Sequence, residues 1–122
     1  MSRMLFDSCS IESMEMEEII VKLDLVFKKP SGEKFPVTIK IGKPYEINDN
    51  ENGNYAACPL STQGFFGRHP DIRGEDTFQA LLLALDFVQR LIADFLKKGG
   101  KIYYADEESE FDPDIYFDIF RL

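Results

Sequence analysis

The chain has 122 residues, 44% of them hydrophobic and 30% charged, which fits one domain able to build a core without disulfide or metal staples and leaves no room for two. Its formal charge of −8 sets a field that repels phosphate backbones, so nucleic acid is not an expected partner. The longest apolar stretch, residues 80–85, is far too short to span a bilayer, residues 1–11 lack the continuous apolar run of an export signal, and Cys9 and Cys58 have no C-x-x-C spacing, so the expectation is a reduced cytoplasmic protein without a membrane segment.

Residues 1–16 mix Met, Ser and acids without a sustained period and are expected to form a flexible arm, leaving residues 17–122 as one α+β domain. Val21, Leu23, Leu25 and Phe27 then alternate with Lys22, Asp24 and Val26, the period of a half-buried strand. Lys28 to Lys34 contains Pro30, Ser31 and Gly32 and reads as a hairpin loop, and Phe35, Val37, Ile39 and Ile41 form the return strand, which Gly42, Lys43 and Pro44 end. The Asn, Asp and Gly run at residues 48–54 is a turn, and residues 55–61 are a third strand of undecided facing. Residues 63–75 hold three glycines, Phe65, Phe66 and the lone His69 and predict a long loop, a place where function often lies.

A long helix is expected over residues 77–98. Asp76 can accept from the free amides of its first turn while Gln79 reaches back, and Gly99 follows Lys97 and Lys98 as a left-handed cap behind favourable cations. Phe78, Leu81, Leu82, Leu85, Val88, Leu91, Ile92, Phe95 and Leu96 recur at three- and four-residue steps and mark the core face. Leu83 and Phe87 fall at the margin of the opposite face, where a covering layer and a homodimer contact are both open readings. Residues 101–104 and 115–122 complete the order β-β-β-α-β-β, a mostly antiparallel sheet of about five strands packed against one helix.

Residues 106–114 place Asp106, Glu107, Glu108, Glu110, Asp112 and Asp114 in one short segment with Phe111. Such a run is either a solvated connection or an acidic surface for a basic partner. It has no glycine, which the central turn of an EF-hand calcium loop needs. With a single histidine, no multi-His zinc site can be drawn; His69 with Asp71 or Glu75 is a possible general base, and Cys58 reads as a small buried hydrophobe. Glu75 and Asp76 would repel an anion from the helix N-terminus behind Gly64, Gly67 and Gly74, which removes a phosphate-cradle reading. Phe65 and Phe66 either cover the core edge or anchor a partner.

Ile41-Gly42-Lys43-Pro44, Cys58-Pro59, and Gly74 and Asp76 leading into Gln79-Ala80-Leu81-Leu82-Leu83-Ala84-Leu85 together resemble a small bacterial domain family of unknown function. The resemblance covers roughly residues 18–104 and implies a fold and a bacterial source, with no catalytic residue to carry over. Small size, acidity and the lack of an active-site constellation lead to the expectation of a non-enzymatic binding protein without a cofactor. The type expected is an immunity protein that neutralises a toxin through residues 106–114, with Phe65, Phe66 and Phe111 as anchors. A small ligand-binding domain or enzyme built on His69 and a structural dimerisation module are the competing readings.

Overall fold

The computed structural model describes residues 18–51 and 53–117. The expected arm at residues 1–16 and the end of the expected last strand, residues 118–122, lie outside them. The architecture is α+β: a five-stranded antiparallel sheet, a second sheet of three strands and one long helix. The chain runs β1 (Ile19–Lys28), β2 (Lys34–Gly42), β3 (Tyr45–Asp49), β4 (Gly53–Cys58), β5 (Leu60–Gln63), β6 (Gly67–Arg68), β7 (Ile72–Gly74), α1 (Thr77–Lys97), β8 (Lys101–Tyr104) and α2 (Pro113–Phe117).

The larger sheet has the order β6-β5-β2-β1-β8 and the smaller β3-β4-β7. The two are linked by one bend. β2 continues into β3 across Lys43 and Pro44, and β4 into β5 across Pro59, so a long antiparallel pair is folded over at a corner. Neither proline can donate a ladder bond, and both stand at the break. The corner is tied by the Gly42 amide donating to the Pro59 carbonyl at 3.0 Å, and the Cys58 thiol lies 3.6 Å from the Gly42 carbonyl oxygen. The expected third strand at residues 55–61 is therefore two strands, and Ala56, Ala57, Cys58 and Leu60 are all buried because the bend wraps both faces. The expected long loop contains β6 and β7, which add one edge to each sheet.

α1 forms as its caps dictate. The Asp76 carboxylate accepts from the Gln79 amide at 2.7 Å, and the Gln79 side chain accepts from the Glu75 amide at 2.6 Å, one residue earlier than the expected box. At the other end the Gly99 amide reaches the Leu96 carbonyl and the Gly100 amide the Phe95 carbonyl, both at 3.1 Å, with Gly99 at φ +96, which is the Schellman arrangement.

The face that α1 buries is narrower than its apolar periodicity. Ala80, Ala84, Val88 and Ile92 form the buried ridge, whereas Phe78 is 70% exposed and Leu82 and Leu83 are also at the surface. The cause is close approach. A Cβ on Gly74 of β7 would lie 2.5 Å from the Ala80 nitrogen, so the first turn of α1 rests on backbone and only small residues fit there. Further along, Phe95 joins Phe27, Phe35 and Phe65, with ring centroids 4.7 Å (Phe27 to Phe95) and 5.2 Å (Phe27 to Phe65) apart. Phe27, the fully buried ring of this group, stabilises the fold by roughly 1.5–3 kcal/mol, and the partly buried Phe35, Phe65 and Phe95 each contribute less.

The chain beyond β8 departs from the expected strand. Asp112 accepts from the Asp114 amide at 3.0 Å and Pro113 occupies the first helical position, so residues 113–117 turn as α2.

Candidate functional site

The acidic segment is a tight return rather than a slack connection. After β8 the Glu107 amide donates to the Tyr104 carbonyl at 2.8 Å and the Tyr104 amide to the Ser109 carbonyl at 2.9 Å. Tyr103 then bridges Glu110, and the Phe111 amide donates to the Ile102 carbonyl at 2.8 Å, so the chain returns antiparallel along β8. Asp106 organises the tip by accepting from the amides of Glu108 (2.9 Å) and Ser109 (3.1 Å). Those backbone amides hold its carboxyl below the usual aspartate range, because they bond to the charged form. Glu107 sits at φ +64, a conformation that L side chains other than Asn and Asp seldom adopt.

All of residues 105–110 are exposed, so Asp106, Glu107, Glu108 and Glu110 present their carboxylates to solvent from a fixed frame. Asp112 and Asp114 are exposed as well, at the start of α2. Phe111 between them is only 4% exposed and belongs to the core cluster, with its ring 5.5 Å from Tyr104. The expectation of Phe111 as a partner anchor is thus corrected: it fastens the acidic segment to the core from beneath.

Phe65 and Phe66 divide in the same way. Both amides donate to the Thr62 carbonyl, at 3.0 and 3.2 Å, in a turn that Gly64 at φ +93 makes possible against the Pro36 carbonyl. Phe65 is partly buried among Phe27, Phe35 and Phe95 and lines a surface groove of about 430 Å³ with Phe35, Phe95 and Lys29. Phe66 is 61% exposed beside it. Three strand spacings, about 14 Å, separate β5, which this turn follows, from the β8 edge that carries the acidic return.

His69 and its expected carboxylates are oriented otherwise. The His69 Nε2 is 2.8 Å from the Thr62 hydroxyl, and the ring stands edge-on to Phe87 at 5.0 Å. Asp71 is turned to Arg68, at 2.7 Å, and accepts from the Tyr45 hydroxyl. That hydrogen bond, with burial adding to it, pushes the Tyr45 hydroxyl up to about 12. Glu75 offers its amide to Gln79 at the helix cap. Cys58 is fully buried, and burial pushes its thiol up to about 11, so its thiolate is suppressed at neutral pH. The margin pair on α1 is split: Leu83 is exposed, while Phe87 is half-buried against His69.

Among the described residues no group of three or more His, Cys, Asp or Glu gathers as a metal site, and no helix is long and apolar enough to cross a membrane. Reasoning from sequence missed the Tyr45, Asp71 and Arg68 cluster, since Tyr45 follows Pro44 and precedes an Asn-rich turn and carried no strand signal. Compared with family models, curated proteins and solved structures, the chain matches none.

Proposed function

We propose that this protein is an acidic bacterial binding protein of the immunity type, which neutralises a toxin by docking the acidic return after β8 against a basic surface of that toxin. The single observation that carries this reading is the geometry of residues 106–110: exposed acidic residues on a tip whose backbone is pinned by Asp106 and by the ladder to β8. A preorganised anionic loop loses little conformational freedom on docking, and its charge speeds encounter with a basic partner. Asp112 and Asp114 extend the same sign along the flank, and Phe66 supplies an exposed aromatic at the opposite sheet edge. The working compartment in this reading is the cytoplasm, where a reduced, buried Cys58 is at home.

The test is co-expression with the toxin encoded beside this gene. Wild-type protein is expected to restore growth, and the combined reversal Glu107→Lys, Glu108→Lys and Glu110→Lys to abolish that protection while leaving the protein folded. Undiminished protection by the triple variant would remove the acidic return from the interface.

A further inference from the structure

The face of the large sheet turned away from α1 carries charge of the opposite sign. Register places Lys22 directly opposite Lys40, and Lys28 directly opposite both Lys34 and Lys101. Their side chains alternate with Leu25, Phe27, Val37, Ile39 and Ile102, which are buried beneath, so all five lysines project from the outer face. Like charges set directly opposite in a sheet are destabilising. Three such pairs on one face, in a chain with eight more acids than bases, are an arrangement that packing and solubility do not require. Lys34 has Glu107 within 3.5 Å, whereas Lys22, Lys28, Lys40 and Lys101 have no ion pair among the described residues. Asp24, the acid among them on β1, is engaged by the Thr38 hydroxyl at 2.8 Å.

We infer that this lysine face is a second docking surface, and that its occupant is an acidic surface of a folded protein. The two lysine groups lie six residues apart along β1, about 20 Å. Between them on the same face stand the hydrogen-bonded Asp24 and Thr38 and then the apolar group of Val26, Pro36 and Tyr103. Charge complementarity calls for an anion at each end and an apolar contact between. A protein surface fits better than a nucleic acid strand. The Tyr103 ring is already roofed by the Lys34 ammonium at 5.8 Å and offers no free stacking platform, and Glu107 and Glu110 border the face, where they would repel a continuous row of phosphates. A protein with an acidic patch beside a basic one would satisfy the lysines and the acidic return together.

The test uses the full chain and three labelled probes: an oligoglutamate peptide, an oligothymidylate of equal charge and phosphatidylserine vesicles. Oligoglutamate is expected to bind in a salt-sensitive manner, and Lys22→Glu with Lys28→Glu to weaken it by about tenfold or more. The same reversals convert opposed lysines into attractive pairs, so the melting temperature is expected to rise as binding falls, which separates a lost surface from a lost fold. Lys22→Gln with Lys28→Gln serves as a milder variant expected to weaken binding with the fold intact. Stronger binding of oligothymidylate or vesicles than of oligoglutamate, or oligoglutamate binding indifferent to both sets of substitutions, would overturn the inference.

Discussion

Glu107 at the tip of the acidic return and Lys34 at the start of β2 lie 3.5 Å apart, joining the acidic return to the edge of the lysine face. Both side chains are about half exposed, at 53% and 46%. A solvent-screened pair of this kind contributes roughly 0–1 kcal/mol. Glu107→Lys is therefore expected to change the urea unfolding free energy by less than about 1 kcal/mol. A loss of partner binding in that variant can then be read as recognition. Unfolding measured alongside binding checks the distinction.

Asp106 governs the shape of the tip. Its carboxylate holds two backbone amides, so Asp106→Ala is expected to speed amide exchange at Glu108 and Ser109 and to leave the centre of α1 unchanged. The pH dependence has a definite sign. Because the folded-state carboxyl titrates below its unfolded value, its contribution is fully present above about pH 4 and is lost as pH falls through the folded pKa. NMR titration of the Asp106 side chain is expected to give a midpoint below that of a solvated aspartate.

Gly74 has no room for a side chain. A methyl group there would stand 2.5 Å from the Ala80 nitrogen and 2.8 Å from its Cα, and backbone cannot move aside as a side-chain end can. Gly74→Ala is expected to destabilise the protein by about 1–3 kcal/mol, the cost of overpacking, and thermal unfolding measures it.

Tyr45 reports on the Asp71 and Arg68 cluster. Its hydroxyl is pushed up to about 12 because it donates to the Asp71 carboxylate. Ultraviolet titration of wild type against Tyr45→Phe is expected to isolate one late-titrating tyrosine, and Asp71→Asn to return it toward about 10. The raised pKa means that this contact stabilises the fold fully below about pH 10 and is lost as pH rises through the folded value.

How far the sequence discloses this structure depends on which physical signal each residue carries. The helix is legible at both ends because Asp76, Gln79 and Gly99 act within one turn of chain. Its buried face is not: apolar periodicity selects large residues such as Phe78 and Leu82, while the close approach of Gly74 gives the contact to Ala80, and the small Ala84 is the next buried residue along that ridge. Pro44 and Pro59 read locally as strand ends, and only pairing shows them standing together at a bend. The aromatic alternation after residue 114 reads as a strand, whereas the Asp112 carboxylate accepting from the Asp114 amide and Pro113 at the first helical position set α2. In the candidate site, the acids were visible as a run, but the burial of Phe111 between them depends on the ladder to Ile102. The lysine face was invisible, since opposed lysines are distant in sequence and only register brings them together.

The central claim is that residues 106–110 form the surface that meets a basic protein. Hydrogen exchange footprinting of the full chain, alone and bound to the proposed toxin partner, tests this most directly. The account predicts added protection at Glu107, Glu108, Ser109 and Glu110 on complex formation. Protection confined to the exposed α1 residues Phe78, Leu82 and Leu83, with the acidic return unchanged, would contradict it.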